Sequence, residues 1–201
     1  KIYIIGAGLA GSEAAYYCAE KGWNVALFEM RPLVSTPAHQ TDKAAELVCS
    51  NSFRSLDPEL AIGCLKEEMQ KLGSLTQKVA QESSVPAGKA QAVDRELFSQ
   101  TVTEILDAHP NIKRINQEVR SFKEYVQKEN EPVLIATGPL TAPALAAELA
   151  ALSNKTDANK TDGSDGGHLY FYDSMAPLLD AETIDQDKTF LANRYDTELN
   201  H

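Results

Sequence analysis

The sequence predicts an α/β fold, a doubly wound parallel sheet with helices on its faces, followed by the start of a second domain. Three observations carry this expectation. Short runs rich in β-branched and aromatic residues alternate with helical patterns, in the order strand, helix, strand, helices, strand, strand, helix. A glycine-rich turn joins the first strand to the first helix. The chain has 201 residues, 43% hydrophobic and 24% charged, the balance of an ordinary globular protein with ample core.

Lys1–Ile5 and Asn24–Phe28 read as strands because β-branched and aromatic residues dominate them. Between them Gly11–Lys21 reads as a helix, with Gly22 placed to end it. In Glu59–Leu72 apolar residues fall at 60, 62, 65, 69 and 72, close to the helical period, which predicts a helix with those positions inward and Cys64 beside them in the core. Asp94–His109 reads as a helix with Asp94 as N-cap and Pro110 as the stop. Ile112–Val119 and Val133–Ala136 read as strands, and Thr141–Leu152 as an Ala/Leu helix with Pro143 in its first turn. Lys66, Lys71 and Lys78 are expected on a solvated helix face. Residues 153–167 hold no large apolar side chain and read as a flexible insertion or linker. The expected organisation is a first domain over 1–152, that linker, and the opening of an incomplete second domain over 168–201.

Several classes are disfavoured. No apolar run approaches the ~20 residues that span a bilayer, and no secretory leader is visible, so a cytoplasmic location is expected. Three cysteines, Cys18, Cys49 and Cys64, are too few and of the wrong parity for a disulfide scaffold, and reduced thiols are expected. No metal-ligand spacing occurs. The net charge of −10 argues against a generic nucleic-acid coat. Residues 157–201, however, carry 10 of the 29 acidic side chains and only 3 of the 19 basic ones, so the charge says little about the first domain.

The chemistry begins at Gly6-Ala7-Gly8-Leu9-Ala10-Gly11, which follows a strand and opens a helix. Gly6 permits the tight turn, Gly8 lets the backbone approach a pyrophosphate, and Gly11 lets helix pack on strand. The helix N-terminus adds unpaired N–H groups and a positive dipole end. Glu29 ends the second strand 18 residues after Gly11, where a carboxylate accepts both ribose hydroxyls of an adenosine and repels a 2′-phosphate. The pattern predicts a Rossmann-like site for FAD or NAD rather than NADP. FAD is preferred because the strand at 133–136 runs into Ala136-Thr137-Gly138, an ending that resembles the second fingerprint of flavoproteins with two dinucleotide domains. The backbone of Val119 is expected beside the adenine. Arg31 either contacts the adenosine side or pairs with a surface acid.

The segment after Glu29 exceeds what a dinucleotide unit needs, and it gathers His39, Cys49, Ser50 and Asn51 in polar surroundings. Loops after parallel strands are where this fold places chemistry. Cys49 reads as a nucleophilic thiolate or as a small buried thiol. His39 either orients a substrate or caps a turn. Cys18 reads as core. Tyr170, Phe171 and Tyr172 read as core or interface.

EMRP, TPAHQT, AELVCSNS, LKEEMQKLGSL, VPAG, AVDR, HPNI, ATGPLT and LYFYD occur in order along nearly the whole chain. Together they resemble the N-terminal half of the TrmFO family of folate- and FAD-dependent tRNA (uracil-5-)-methyltransferases. The resemblance implies methylation of a T-loop uridine in tRNA, with methylenetetrahydrofolate as carbon donor and NADH or NADPH as reductant through FAD. It implies Cys49 as the catalytic nucleophile. A second family cysteine, in an Asn-Cys-Pro motif expected beyond Arg194-Tyr195-Asp196, has no counterpart before His201, so a missing C-terminal half is expected to be required. The sequence departs from the family pattern at Ala44, Cys64, Lys89 and Gln91, where Phe, Leu, Gly and Leu are expected. Two other readings are a flavin-binding fragment without catalysis and an FAD oxidoreductase of the glucose-inhibited division protein A family. The latter usually opens with Gly-Gly-Gly-His-Ala-Gly, and EMRP with AELVCSNS points away from it.

Overall fold

The computed structural model describes residues 1–126 and 131–156, together with 185, 187 and 188. Of the linker expected over 153–167, residues 153–156 continue the helix Pro143–Thr156; the rest of it and the segment 168–201, with its aromatic run and Arg194-Tyr195-Asp196, lie outside the described residues apart from those three positions.

Four parallel strands form the main sheet. β1 (Ile2–Ile5) pairs with β2 (Val25–Glu29) on one side and with β7 (Val133–Ile135) on the other, and β2 pairs with β6 (Ile112–Asn116). The spatial order β6-β2-β1-β7 runs outward one way and then reverses across β1. That reversal is the switch point at which a doubly wound sheet opens a crevice above its carboxyl ends. The fold class expected from sequence is the one found.

Alternate residues of the strands feed two cores, as the two-residue period of a strand requires. Ile2 and Ile4 face a core shared with α1 (Leu9–Glu20), α3 (Leu75–Glu82) and α4 (Arg95–Ala108), where Leu27, Val79, Phe98, Val102 and Leu106 are buried. Tyr3 and Ile5 face the opposite core with Phe28, Val119 and Tyr125, covered by Leu145 and Leu149 of α5 (Pro143–Thr156). Burial on both faces explains why β2 is apolar throughout until Glu29. α4 begins where Asp94 accepts from the N–H groups of Glu96 and Leu97, at 3.0 and 2.9 Å.

Between β2 and α4 lies a second sheet, which sequence reading did not anticipate. It is antiparallel, ordered β3 (Ser52–Ser55), β5 (Ala90–Val93), β4 (Ser84–Val85). The helix α3 was also unforeseen. It has eight residues, too few for its apolar positions Leu75, Val79 and Ala80 to stand out as a repeat, and its N-terminus is held from afar. The Glu13 carboxylate of α1 accepts from the N–H groups of Leu75 and Thr76 and from the Ser74 hydroxyl, at 3.1, 2.9 and 3.0 Å. Ser74 in turn accepts from Gln77 N–H. Ser74 is a local N-cap that the sequence offers, whereas the part of the cap supplied by Glu13 carries no local signature.

The helix α2 (Ala61–Lys71) forms where expected, with its faces rotated. Leu60, Leu65 and Leu72 are exposed, and so is Cys64, which corrects its placement in the core. Gly63 and Lys66 face inward instead. A β-carbon on Gly63 would lie 1.9 Å from the Asp57 carbonyl, so the helix presses against the turn that precedes it. Lys66 is buried rather than solvated. Its Nζ donates to the carbonyls of Arg54 and Ser55 at 3.2 and 2.8 Å, and burial lowers its pKa. Lys71 and Lys78 are exposed as expected.

Gln91 of β5, which replaces the Leu expected from the family resemblance, is 2% exposed. Neither its amide nitrogen nor its amide oxygen has a partner among the described residues. A buried amide with no hydrogen bond costs about 1–3 kcal/mol. Gln91→Leu is therefore expected to stabilise the chain by about 2 kcal/mol, read as a raised Tm in thermal unfolding. An unchanged or lowered Tm would show that the amide is satisfied in solution.

Among the described residues no helix is long and apolar enough to cross a membrane. No group of three His, Cys, Asp or Glu among them is placed to hold a metal ion.

Candidate dinucleotide cleft

The carboxyl ends of β1, β2 and β7 open into a cleft. Gly6 and Gly8 form its floor, Glu29 and Arg31 one wall, Val119, Ala136 and Thr137 another, and His39 lies at its margin. Gly6 turns there with φ +99°, and a β-carbon on it would meet the Ala136 carbonyl oxygen at 2.7 Å. One on Gly11 would lie 1.8 Å from the Gly6 carbonyl oxygen. Above Gly8 a β-carbon would meet nothing within 4 Å, so the backbone there is open to a ligand. No side chain caps α1, which leaves its first-turn N–H groups for an anion.

The residues expected to bind the cofactor divide into two groups. Gly6, Gly8, Glu29, Arg31, Val119, Ala136 and Thr137 line the cleft. Ala7 is buried beneath it, and Gly11 packs against Gly6. Gly138 does not line it, while Leu140, Ala142 and Leu145 just beyond do. Leu9 and Ala10 are exposed and line a neighbouring apolar pocket with Phe53, Ile62, Leu65 and Met69. The strand expected to reach Val119 ends at Asn116, and Val119 reaches the cleft from the loop that follows.

Glu29 and Arg31 are more heavily engaged than the sequence suggests. Glu29 is 6% exposed. Its Oε2 accepts from Ala7 N–H at 3.1 Å, and its Oε1 accepts from the N–H and Nε of Arg31 at 3.1 and 2.9 Å. The carboxylate thus ties the glycine turn to the end of β2. The Arg31 guanidinium, 2% exposed, also donates to Glu46 at 2.7 Å and to the Thr41 carbonyl at 3.1 Å. Of the two roles considered for Arg31, ion pairing is realised, with one partner, Glu29, buried and the other, Glu46, half-buried. Burial alone would raise the Glu29 pKa; the hydrogen bonds and charge of Arg31, with the Ala7 N–H, outweigh it and hold the carboxyl below its ordinary range. Glu46 behaves alike: burial pushes it up, and the N–H groups of Gln40 and Thr41, the Thr41 hydroxyl and Arg31 bring it below the ordinary range. Glu46 had no signal in the sequence, because its link to Arg31 is made by the fold of the intervening loop.

Cys49 lies in the segment that joins β2 to β3, half-buried, and does not line the cleft. Its neighbour Asn51 is fixed to β5 by two hydrogen bonds with Val93, both 3.0 Å. Ser50 accepts from Ser52 N–H. Cys18 is half-buried against the main core, as expected, and burial raises its pKa.

A family profile described as Glucose inhibited division protein A matches residues 1–201. The chain belongs to that family. Membership stands together with marked similarity to proteins named Methylenetetrahydrofolate--tRNA-(uracil-5-)-methyltransferase TrmFO. The protein of that name from Shouchella clausii is 51% identical over 195 residues, covering 97% of this chain and 41% of the relative. The one from Koribacter versatilis is 50% identical over 196 residues, covering 98% and 41%. The division-protein family and the methyltransferases, set apart in the sequence reading by their first motifs, are therefore not alternatives for this family member. The chain spans about two fifths of the length of these curated relatives. The solved structure of Aquifex aeolicus GidA shares the fold, with a TM-score of 0.54 and 17% identity over 69% of this chain and 25% of that one.

Proposed function

We propose that this chain is the FAD-binding portion of a methylenetetrahydrofolate-dependent tRNA (uracil-5-)-methyltransferase acting on a T-loop uridine. The observation that carries the reading is identity near 50% across almost the whole chain to proteins of that name. The cleft supports it chemically. Gly6 and Gly8 leave the backbone bare at the N-terminus of α1, where a pyrophosphate would sit. Glu29 offers a carboxylate to the ribose, and the surplus of two carboxylates over one guanidinium in its wall disfavours a 2′-phosphate. Val119, Ala136 and Thr137 offer an apolar wall and backbone groups for the adenine side. FAD, reduced by NADH or NADPH, would supply the reducing equivalents, and methylenetetrahydrofolate the carbon.

Cys49 is proposed as the nucleophile. Its thiolate adds at uracil C6, breaking the C5–C6 double bond and placing the electron pair at C5, which then attacks the incoming one-carbon unit. The two folate carbon–nitrogen bonds of that unit break, the C5 proton and the C6 thiolate leave, and a hydride equivalent, which reduced FAD would supply, completes the methyl group on the restored ring. Cys49 does not line the glycine cleft, and the chain spans 41% of its relatives. Both facts favour a division of labour, with the 201-residue chain binding flavin and methyl transfer requiring the remaining length.

The test has two arms. The purified chain should take up FAD and show flavin absorbance; failure to do so would overturn the cofactor assignment. In a protein of the relatives' length, Cys49→Ala should abolish tRNA methylation while leaving flavin content unchanged. Retained methylation would reduce Cys49 to packing.

A further inference from the structure

The acceptor count at Glu29 leaves the recognition of a ribose half made. Oε1 already accepts two hydrogen bonds, both from Arg31, and Oε2 accepts one, from Ala7. A carboxylate oxygen has two lone pairs, so one position remains, on Oε2. A ribose presents two adjacent hydroxyls. Glu29 can take one of them, not both as its position in the sequence suggests.

His39 lines the same cleft. Its Nδ1 lies 2.6 Å from the Thr36 hydroxyl oxygen, which also accepts from the N–H groups of Ala38 and His39, each at 3.3 Å. With both lone pairs of that oxygen occupied, the hydroxyl proton is directed to Nδ1. The neutral ring then carries its own proton on Nε2, which has no partner among the described residues. Burial, followed by the Arg31 charge, lowers the His39 pKa against the opposing pull of Glu46 and Glu29, and so favours that neutral form.

We propose that His39 is a nucleotide-binding residue whose Nε2–H donates to the adenosine ribose hydroxyl that Glu29 leaves without a partner. The inference rests on the flavin reading above and assigns a second recognition element to that site. It makes the cleft selective for an intact ribose diol through one acceptor and one donor, with Thr36 as the residue that fixes the tautomer.

Calorimetric titration of the 201-residue chain with FAD, ADP, 2′-deoxy-ADP and 3′-deoxy-ADP tests it. His39→Asn, whose amide falls short of the Nε2 position, should weaken ADP and FAD binding about tenfold. His39→Gln, which returns an N–H near that position, should recover most of the loss. With one of the two deoxy nucleotides, His39→Asn should cost nothing further, because the bonded hydroxyl is already gone. Nitrogen-15 spectra of the wild-type imidazole should show the proton on Nε2. Unchanged ADP affinity in His39→Asn, equal weakening with all three ADP ligands, no recovery in His39→Gln, or an Nδ1–H tautomer would each overturn the assignment while leaving the flavin reading intact. A wild-type chain that binds neither FAD nor ADP would overturn both.

Discussion

Replacing Arg31 by leucine is expected to destabilise the folded chain by about 3–5 kcal/mol and to abolish flavin uptake. The guanidinium is the only positive group bonded to Glu29 and Glu46 among the described residues, at 2.9 and 2.7 Å. Leucine would leave two carboxylates beside one another in a site where the arginine is 2% exposed. Losing one partner of a buried ion pair costs far more than the pair contributes, because the remaining charges have neither water nor counter-charge. The three residues also join the glycine turn, the end of β2 and the loop around Thr41, so the cleft wall would open with them.

The pH dependence gives this prediction a sign. Glu29 and Glu46 both titrate below their ordinary value of 4.5 in the folded chain. A depressed carboxyl pKa contributes stability above the unfolded pKa, and that stability is lost as pH falls through the folded value. Wild-type stability should therefore decline below about pH 4.5. In Arg31→Leu the burial that raises the Glu29 pKa loses its main opponent, while Glu46 keeps the larger opposition of the Gln40 and Thr41 hydrogen bonds. Protonation then relieves the uncompensated charge, and the gap between variant and wild type should narrow as pH falls toward that range. Urea unfolding at pH 7 and at about pH 4 measures both effects. A gap that widened in acid would show that the ion pairs are not what holds the wall together.

Gly11→Ala is expected to cost about 3 kcal/mol and to lower FAD affinity sharply. The added carbon would lie 1.8 Å from the Gly6 carbonyl oxygen and 3.4 Å from the Ala136 side chain. The near obstacle is backbone, which cannot swing aside as a side chain can, so α1 or the Gly6 turn must shift. Gly6 is itself confined, with φ +99° and the Ala136–Thr137 backbone under 3 Å from where its β-carbon would be. The displacement passes directly to the floor of the cleft. Thermal unfolding and flavin titration of the variant check this; wild-type affinity would show that the turn is more pliant than its contacts imply.

The parts that were legible in the sequence are those governed by short-range rules. β1, β2 and the glycine turn between them follow from local composition and spacing. α4 follows from Asp94 and Pro110, and α5 follows from an Ala/Leu run opened by Pro143. The parallel sheet and its reversal at β1 follow in turn, because such units assemble in few ways. Seven of the twelve residues expected around the cofactor line one cleft for the same reason.

Tertiary structure decided the rest. α3 is capped in part by Glu13, 61 to 63 positions away in the chain, and a small antiparallel sheet of strands two to four residues long gains its register only from pairing. α2 turned its leucines outward because Gly63 had to meet Asp57 and Lys66 had to reach two carbonyls. The roles of Arg31, Glu46 and His39 depend on a loop closing over β2, and so does the count of acceptors left on Glu29. Periodicity reports which residues prefer to leave water. Which partner a buried charge or amide finds is a question of distance between segments remote in the chain, and that distance exists only once the chain has folded.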